Sequence, residues 1–389
     1  MHLFPSIASS LTEERFTARE AQHLAHIISF GPVIFQTARL MLKYGIFEML
    51  NTSPNGLTQQ EIAERTGLSS YACKCLLEAS LTIGTVIIDA EKDVYRLGKT
   101  GWFLLNDPLI RADIDFNHDV NYEGWFVLDK ALEEGRPAGL EHFGPWPTIY
   151  EGLSSLPEQV QKSWFGFDHY YSDHSFDEAL HLIETETLHS KGEDADVHIL
   201  DVGGNTGRFA QRCVTYNPRF HVTICDLPQQ IALMRAATEG KEGADRIDGV
   251  GMNLLDPNCA FPSETKYDVI WMSQFLDCFG EEEIVSILSR AAKIMTPDNR
   301  LYIMETLWDR QKYLPAAFAL TQISLYFTAL ANGNSKMYNT DDLTRLVRQA
   351  GLEVETIHDH LGMGGHSIMV VRKCENAKMR KCENAKMRK

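Results

Sequence analysis

His198-Ile199-Leu200-Asp201-Val202-Gly203-Gly204-Asn205-Thr206-Gly207, read together with Asp226 nineteen residues past its last glycine, decides the fold. An apolar run ends in a glycine-rich turn and opens a helical pattern, the arrangement that lets backbone approach a nucleotide-like ligand. A second run, His221-Val222-Thr223-Ile224-Cys225, brings Asp226 to the same sheet edge, where a carboxylate accepts hydrogen bonds from ribose hydroxyls. The alternative is an α/β turn whose glycines serve only tight packing.

The spacing separates two kinds of nucleotide site. A dinucleotide fingerprint places a pyrophosphate on Gly-x-Gly-x-x-Gly. Here the glycines fall at 203, 204 and 207, and Asp201 stands at the strand end. That carboxylate opposes an anion but suits an ammonium and a sulfonium, the charges of S-adenosylmethionine.

Outward from this stretch the chain alternates strand and helix. Strands are expected near 197–202, 221–226, 248–253, 267–273, 300–306, 353–358 and 366–372. Helices are expected near 207–215, 228–239, 281–295 and 340–350, which makes a doubly wound sheet with its chemistry at the carboxyl ends of the strands. Upstream, Thr58 and Glu61 have the spacing of a capping box and Gly67 stops that helix. A helix from Ser70 and two short strands at 86–89 and 94–97 complete a winged helix. Its second helix carries only Lys74 and Glu78 as charges among residues 70–79, a poor major-groove reader. The domain is therefore read as a dimerisation element. The aromatic stretch between the two regions holds Trp164, Phe167 and His169, read as packing or as pocket lining at a domain interface. The apolar insertion 312–331, with Phe318, is read as a cover for the pocket or part of a dimer interface.

Composition sets limits. A net charge of −16 over 389 residues argues against a nucleic-acid binder, which needs clustered Lys and Arg. No 18-residue apolar run and no signal-peptide pattern are read, so the expectation is a cytoplasmic protein without membrane contact. Eight cysteines in such a chain carry no metal-ligand spacing, and no metal is expected. Residues 373–380 are repeated as 381–388, a polar tail that buries no core.

With these motifs in hand, the chain resembles the class I S-adenosylmethionine-dependent O-methyltransferases of the caffeic acid and acetylserotonin type. The resemblance runs over roughly residues 20–372. It rests on residues 201–207, on Asp226-Leu227-Pro228, on Asp173-His174-Ser175, and on Trp271-Met272-Ser273 leading to Phe279-Gly280-Glu281-Glu282-Glu283. It implies an α/β fold: a Rossmann-like, seven-stranded doubly wound sheet behind a mainly helical winged-helix domain. The boundaries it implies are 1–100 for a homodimerising winged helix, 101–185 for a helical connector, 186–372 for the catalytic domain and 373–389 for the tail. It also implies methyl transfer from S-adenosylmethionine to a small-molecule oxygen. The alternatives are a cofactor-binding protein without transfer and, less favoured, a DNA-binding regulator.

Carried over by position, the resemblance gives the cofactor Ser175, Asp201, Gly203, Gly204, Asn205, Gly207, Asp226, Leu227, Met252, Asn253 and Ser273. The acceptor receives Trp164, Phe167, His169, Phe275 and Phe318. Where the family has its general-base histidine this sequence has Asp277. Of the two glutamates that orient that histidine, Glu305 is present and Met337 stands at the other position. Asp277 is then a base, if burial lifts its pKa, or an N-cap or near-cap of the helix opening at Glu281.

Overall fold

The computed structural model describes residues 3–192, 194–363 and 365–374, so the repeated tail lies, beyond residue 374, outside the described residues. The chain divides into two compact units. One comprises Glu13–Val120 with Lys162–Phe167; the other comprises Met1–Thr12, Asn121–Gln161 and Asp168–Lys389. This corrects two expected boundaries. The first dozen residues belong to the sheet unit, where the Phe4 N–H donates to the Asp309 carbonyl at 3.0 Å. The stretch 101–185, expected as a connector, is divided between the two units, and its Lys99–Asn106 helix packs on the Ile46–Asn51 helix of the winged-helix unit.

In the N-terminal unit the capping box forms as read: Glu61 N–H donates to the Thr58 hydroxyl, and the Thr58 N–H to the Glu61 carboxylate at 2.7 Å. The Gln59–Thr66 and Ser70–Thr82 helices and the antiparallel pair β1 (Val86–Asp89) and β2 (Val94–Leu97) give the winged helix. Its core holds Met41, Phe47, Leu50, Ile62, Leu77 and Val86. The Ala18–Ser29 helix buries no residue at all. Together with the following helix it leaves Leu24, Ile27, Ile28, Phe30 and Val33 exposed, an apolar face too large to be incidental.

The second unit is a seven-stranded sheet. Its strands are β3 (Val197–Val202), β4 (Phe220–Asp226), β5 (Ile247–Gly251), β6 (Val269–Ser273), β7 (Arg300–Glu305), β8 (Leu352–Leu361) and β9 (His366–Lys373). Their order is β5-β4-β3-β6-β7-β9-β8, parallel from β5 to β7, with β9 antiparallel to both its neighbours. Alternation along each strand splits the core into two layers. Leu200, Val202, Ile270, Met272 and Ile303 face the Glu281–Ile294 and Thr340–Gln349 helices. Ile199, Val269, Trp271, Tyr302 and Met304 face the Phe176–Lys191 and Arg208–Tyr216 helices. Every strand and helix expected here is present, with ends within a few residues.

The insertion read as a cover is a helix, Leu314–Tyr326, running on through a wider turn at Phe327–Ala331. Contrary to the sequence reading, these 18 residues are long and apolar enough to cross a membrane by length and composition, as is the bent pair Ala18–Ser29 and Gly31–Lys43. The first of them is 44% buried in the structure.

Candidate functional site

The glycine turn ends β3 and starts the Arg208–Tyr216 helix. Gly203 and Gly207 have φ of 80° and 79°, and Asn205 takes a left-handed 48° that its short polar side chain tolerates. The turn is filled from inside. A Cβ on Gly203 would lie 2.3 Å from the Phe275 ring, one on Gly204 2.6 Å from Asp201 Oδ2, and one on Gly207 2.7 Å from Met234. Packing therefore demands all three glycines, as the alternative reading held, and this leaves their role toward a ligand to the surrounding groups.

Those groups share one property. Asp226, at the end of β4, accepts the Asn205 N–H on Oδ2 at 2.8 Å and the Leu227 N–H on Oδ1 at 2.7 Å, so one carboxylate ties the turn to the next strand. Its backbone carbonyl holds the Met252 N–H at 2.7 Å. Asp201 is buried, and its Oδ2 has no hydrogen-bond partner; neither have the buried side-chain oxygens Asn205 Oδ1, Gln274 Oε1 and Glu305 Oε2. All four are acceptors once the two carboxyls are ionised. Buried acceptors without donors call for a ligand that brings N–H, O–H or positive charge. Burial, with Asp226 nearby, pushes the Asp201 carboxyl up to about 8, and burial raises Asp226 as well against the pull of its two backbone bonds. An ammonium, a sulfonium and ribose hydroxyls fit this set.

The remaining cofactor expectations divide. Leu227 is half-buried in extended backbone after Asp226, and Ser273 closes β6. Asn253 is exposed and uses its Oδ1 on the Leu255 N–H. The fully buried Ser175 hydroxyl lies 2.8 Å from His366 Nδ1 and 3.4 Å from the Leu361 carbonyl, bonds that join its helix to the β8–β9 turn.

At the carboxyl ends of β6 and β7 the chain turns through residues 274–278. Gln274 is left-handed at φ 44° and its N–H bonds the Met304 carbonyl. Glu305 Oε1 accepts the Phe275 and Leu276 N–H groups at 3.1 and 2.9 Å, which holds the short helical turn Leu276–Cys278 in place. Asp277 in that turn is buried, and its Oδ1 lies 3.5 Å from Cys278 Sγ. The N-cap alternative for Asp277 is overturned. The Glu281–Ile294 helix is capped by Gly280, whose N–H bonds the Glu283 carboxylate at 2.7 Å. Burial raises Asp277 to about 6 and, with Asp277 beside it, lifts Glu305 well above the carboxylate range. Met337, in place of the second glutamate, is buried and takes the Thr306 hydroxyl on its sulfur.

Among the aromatic expectations, Phe275 lines the glycine turn and meets Phe279 edge-on. Trp164 and Phe167 belong to the N-terminal unit, Trp164 edge-on to Phe165 and Phe167 stacked 4.2 Å from Phe116. Phe318 is 62% exposed. Burial and Arg208 lower the His169 pKa. Sequence reading passed over half-buried Asp168, whose carboxyl burial pushes up to about 7, and Tyr150, whose buried hydroxyl lies in the Asp277–Cys278 group. Among the described residues no cluster has the makeup of a metal site.

Known proteins match both halves. Residues 22–94 fit the model of a dimerisation2-like domain, and residues 200–301, which hold the glycine turn and the Asp277 turn, fit a methyltransferase domain. The chain is a methyltransferase, with a methyltransferase domain behind a dimerisation2-like domain. One relative of this methyltransferase is the 3-hydroxy-5-methyl-1-naphthoate 3-O-methyltransferase of Streptomyces sahachiroi, 27% identical over 83% of this chain and 87% of that protein. The solved mitomycin 7-O-methyltransferase shares the fold at a TM-score of 0.66 and 20% identity, covering 91% of this chain and 98% of that one. A neocarzinostatin-biosynthesis O-methyltransferase, solved with S-adenosylmethionine and 2-hydroxy-5-methyl naphthoic acid, matches at 0.57 and 20% over 87% and 96%. The methyltransferase uses S-adenosylmethionine, whose positive charge and hydroxyls have the donor character that the orphaned oxygens at 201, 205, 274 and 305 lack.

Charge in the ligand has a measurable consequence. A cation beside Asp201 favours its ionised form, so binding below pH about 8 releases a proton. Cofactor affinity is expected to rise from pH 6 toward 8, by at most about tenfold per pH unit, and then level off. Calorimetry in buffers of different ionisation enthalpy measures the release, and Asp201→Asn should abolish it. The same raised pKa works the other way in the ligand-free protein: the stability it contributes is present below the unfolded carboxyl value and is lost as pH climbs through about 8.

Proposed function

We propose that this methyltransferase moves the methyl group to a hydroxyl oxygen of a small aromatic acceptor, with Asp277 taking the proton, and that it works as a homodimer. The observation that carries the reading is Asp277 itself: buried at the carboxyl end of β6, on a turn held by Glu305, with its pKa at about 6. Moving a proton from a phenol near 10 to such a carboxyl costs about 5 kcal/mol, nearly the cost to an ordinary histidine and well under the roughly 8 kcal/mol to an exposed aspartate. Burial thus makes a workable replacement for the family's base. When bound, the cofactor supplies a methyl on positively charged sulfur. Asp226 holds the ribose, Asp201 faces the positive charge, Asp277 withdraws the acceptor proton as the oxygen meets the methyl, and the dry turn keeps water from competing.

Incubation with methyl-labelled S-adenosylmethionine and metabolite extracts tests this. A labelled, extractable small product is expected, whereas tight cofactor binding with no product from any extract favours the non-transferring alternative. Dimerisation rests on the exposed apolar face at Leu24, Ile28, Phe30 and Val33 and on the dimerisation-type domain around it. Ile28→Glu with Val33→Glu should halve the mass seen by sedimentation; an unchanged mass removes that face from the interface. The acidic balance and the burial of the Leu314–Ala331 helix support a cytoplasmic location.

A further inference from the structure

Between the end of β5 and the start of β6 the backbone of residues 252–268 is neither helix nor strand. Leu254 and Phe261 nevertheless belong to the core layer of Ile270, Met272, Ile284, Ile287 and Leu288. The first turns of this segment are fastened by Arg290, a side chain of the Glu281–Ile294 helix that is only 5% exposed. One Nη2–H donates to the Leu254 carbonyl, and Nη1–H groups donate to the Asp256 carbonyl at 2.9 Å and to Cys259 Sγ. The Nε–H turns back to the Ser286 carbonyl of its own helix at 3.3 Å. Among the described residues Arg290 has no carboxylate partner. A buried guanidinium is costly to desolvate, and an apolar side chain would fill this place without that cost. What the arginine adds is its grip on the loop at Leu254, Asp256 and Cys259.

That loop lies where the base of a bound nucleoside goes. Gly251, the last residue of β5, pairs with Asp226 on the side away from β3 and its glycine turn. In S-adenosylmethionine the ribose carries the sulfur arm and the base at opposite ends of its ring. With the hydroxyls on Asp226 and the sulfonium toward Asp201, the base extends over the end of β5, against residues 252–259. We propose that Arg290 is the positioning residue for this base: it acts through the loop, holding the Leu254–Cys259 turn as a fixed wall against which adenine is read. Without it the Leu254 and Asp256 carbonyls lose their donor, and the turn moves outward to find water. The inference rests on the reading of Asp226 as the ribose contact.

The test needs no methyl acceptor. Calorimetry on the full chain measures binding of S-adenosylmethionine, 5′-methylthioadenosine and 5′-methylthioinosine to wild type, Arg290→Met, Arg290→Lys and Asp226→Ala. Wild type should prefer the adenine nucleoside to the hypoxanthine one, which differs from it only along one edge of the base. Arg290→Met should raise the dissociation constants of S-adenosylmethionine and 5′-methylthioadenosine together, by at least about tenfold. It should also shrink the preference for adenine by at least about threefold. Arg290→Lys, which keeps the charge but not the planar fork, should shift both quantities the same way by less, and it carries the test where the methionine variant does not fold. Partial unfolding lowers the binding-competent fraction alike for both nucleosides and leaves their ratio unmoved, so the ratio reports the wall and not stability. Equal binding of the two nucleosides by wild type overturns the assignment, as does a ratio in the Arg290 variants equal to that of wild type. Undiminished affinity in Asp226→Ala marks failure of the ribose placement instead, and the inference falls with it.

Discussion

Asp277→Asn is expected to cut turnover by about 10²- to 10⁴-fold, the usual worth of a general base, while leaving S-adenosylmethionine affinity unchanged. Asparagine keeps the shape of the side chain and its neighbour Cys278 but cannot take a proton, so the loss belongs to chemistry and not to folding. In the parent protein the rate should rise with pH through about 6 as Asp277 ionises, and this limb should vanish in the variant. Asp277→His puts the family's usual base on the same turn. It should recover part of the rate only if the single remaining glutamate, Glu305, can orient an imidazole without the second one that Met337 replaces. Full activity in Asp277→Asn would show that aligning the acceptor suffices and that the buried carboxyls serve only to hold the turn.

How much of this was legible beforehand follows from the range of the interactions involved. The sheet was readable because its signals are local: alternating apolar runs, a glycine turn, and a Thr58–Glu61 box that closes within one helical turn. Asp226 was readable because a strand end places it. Its second use, as the clamp on the Asn205 and Leu227 N–H groups, was not, since it needs the spacing of β3 and β4. The roles of Ser175 and Asp168 were illegible for the same reason. Ser175 bonds His366, 191 residues away, and Asp168 is raised by burial that only the folded chain supplies. The division into units was misread because the helices after the wing carry no boundary signal of their own. The membrane-length helix at 314–331 was missed because scattered polar residues such as Thr321, Gln322 and Ser324 interrupt its apolar run.

Asp226→Ala tests the part of the site that β3 and β4 build together. Each Asp226 oxygen holds one backbone N–H and keeps a lone pair for a ribose hydroxyl. Losing one charge-assisted bond to the cofactor costs about 1.5 to 3 kcal/mol, so the dissociation constant should rise at least about tenfold and, with both hydroxyls released, beyond a hundredfold. A second effect adds to this. Asn205 sits at φ 48° without the freedom of glycine, and its N–H loses the partner that holds it there, so the turn relaxes before any ligand arrives. Asp226→Asn separates the two contributions, since its amide oxygen can keep one backbone bond while the charge is gone. If affinity falls in both variants but unfolding midpoints fall only in the alanine form, the carboxylate both binds the ribose and braces the turn. Equal affinity for the cofactor in wild type and Asp226→Ala, measured by calorimetry, would remove Asp226 from the cofactor site and leave it as the brace between two strands.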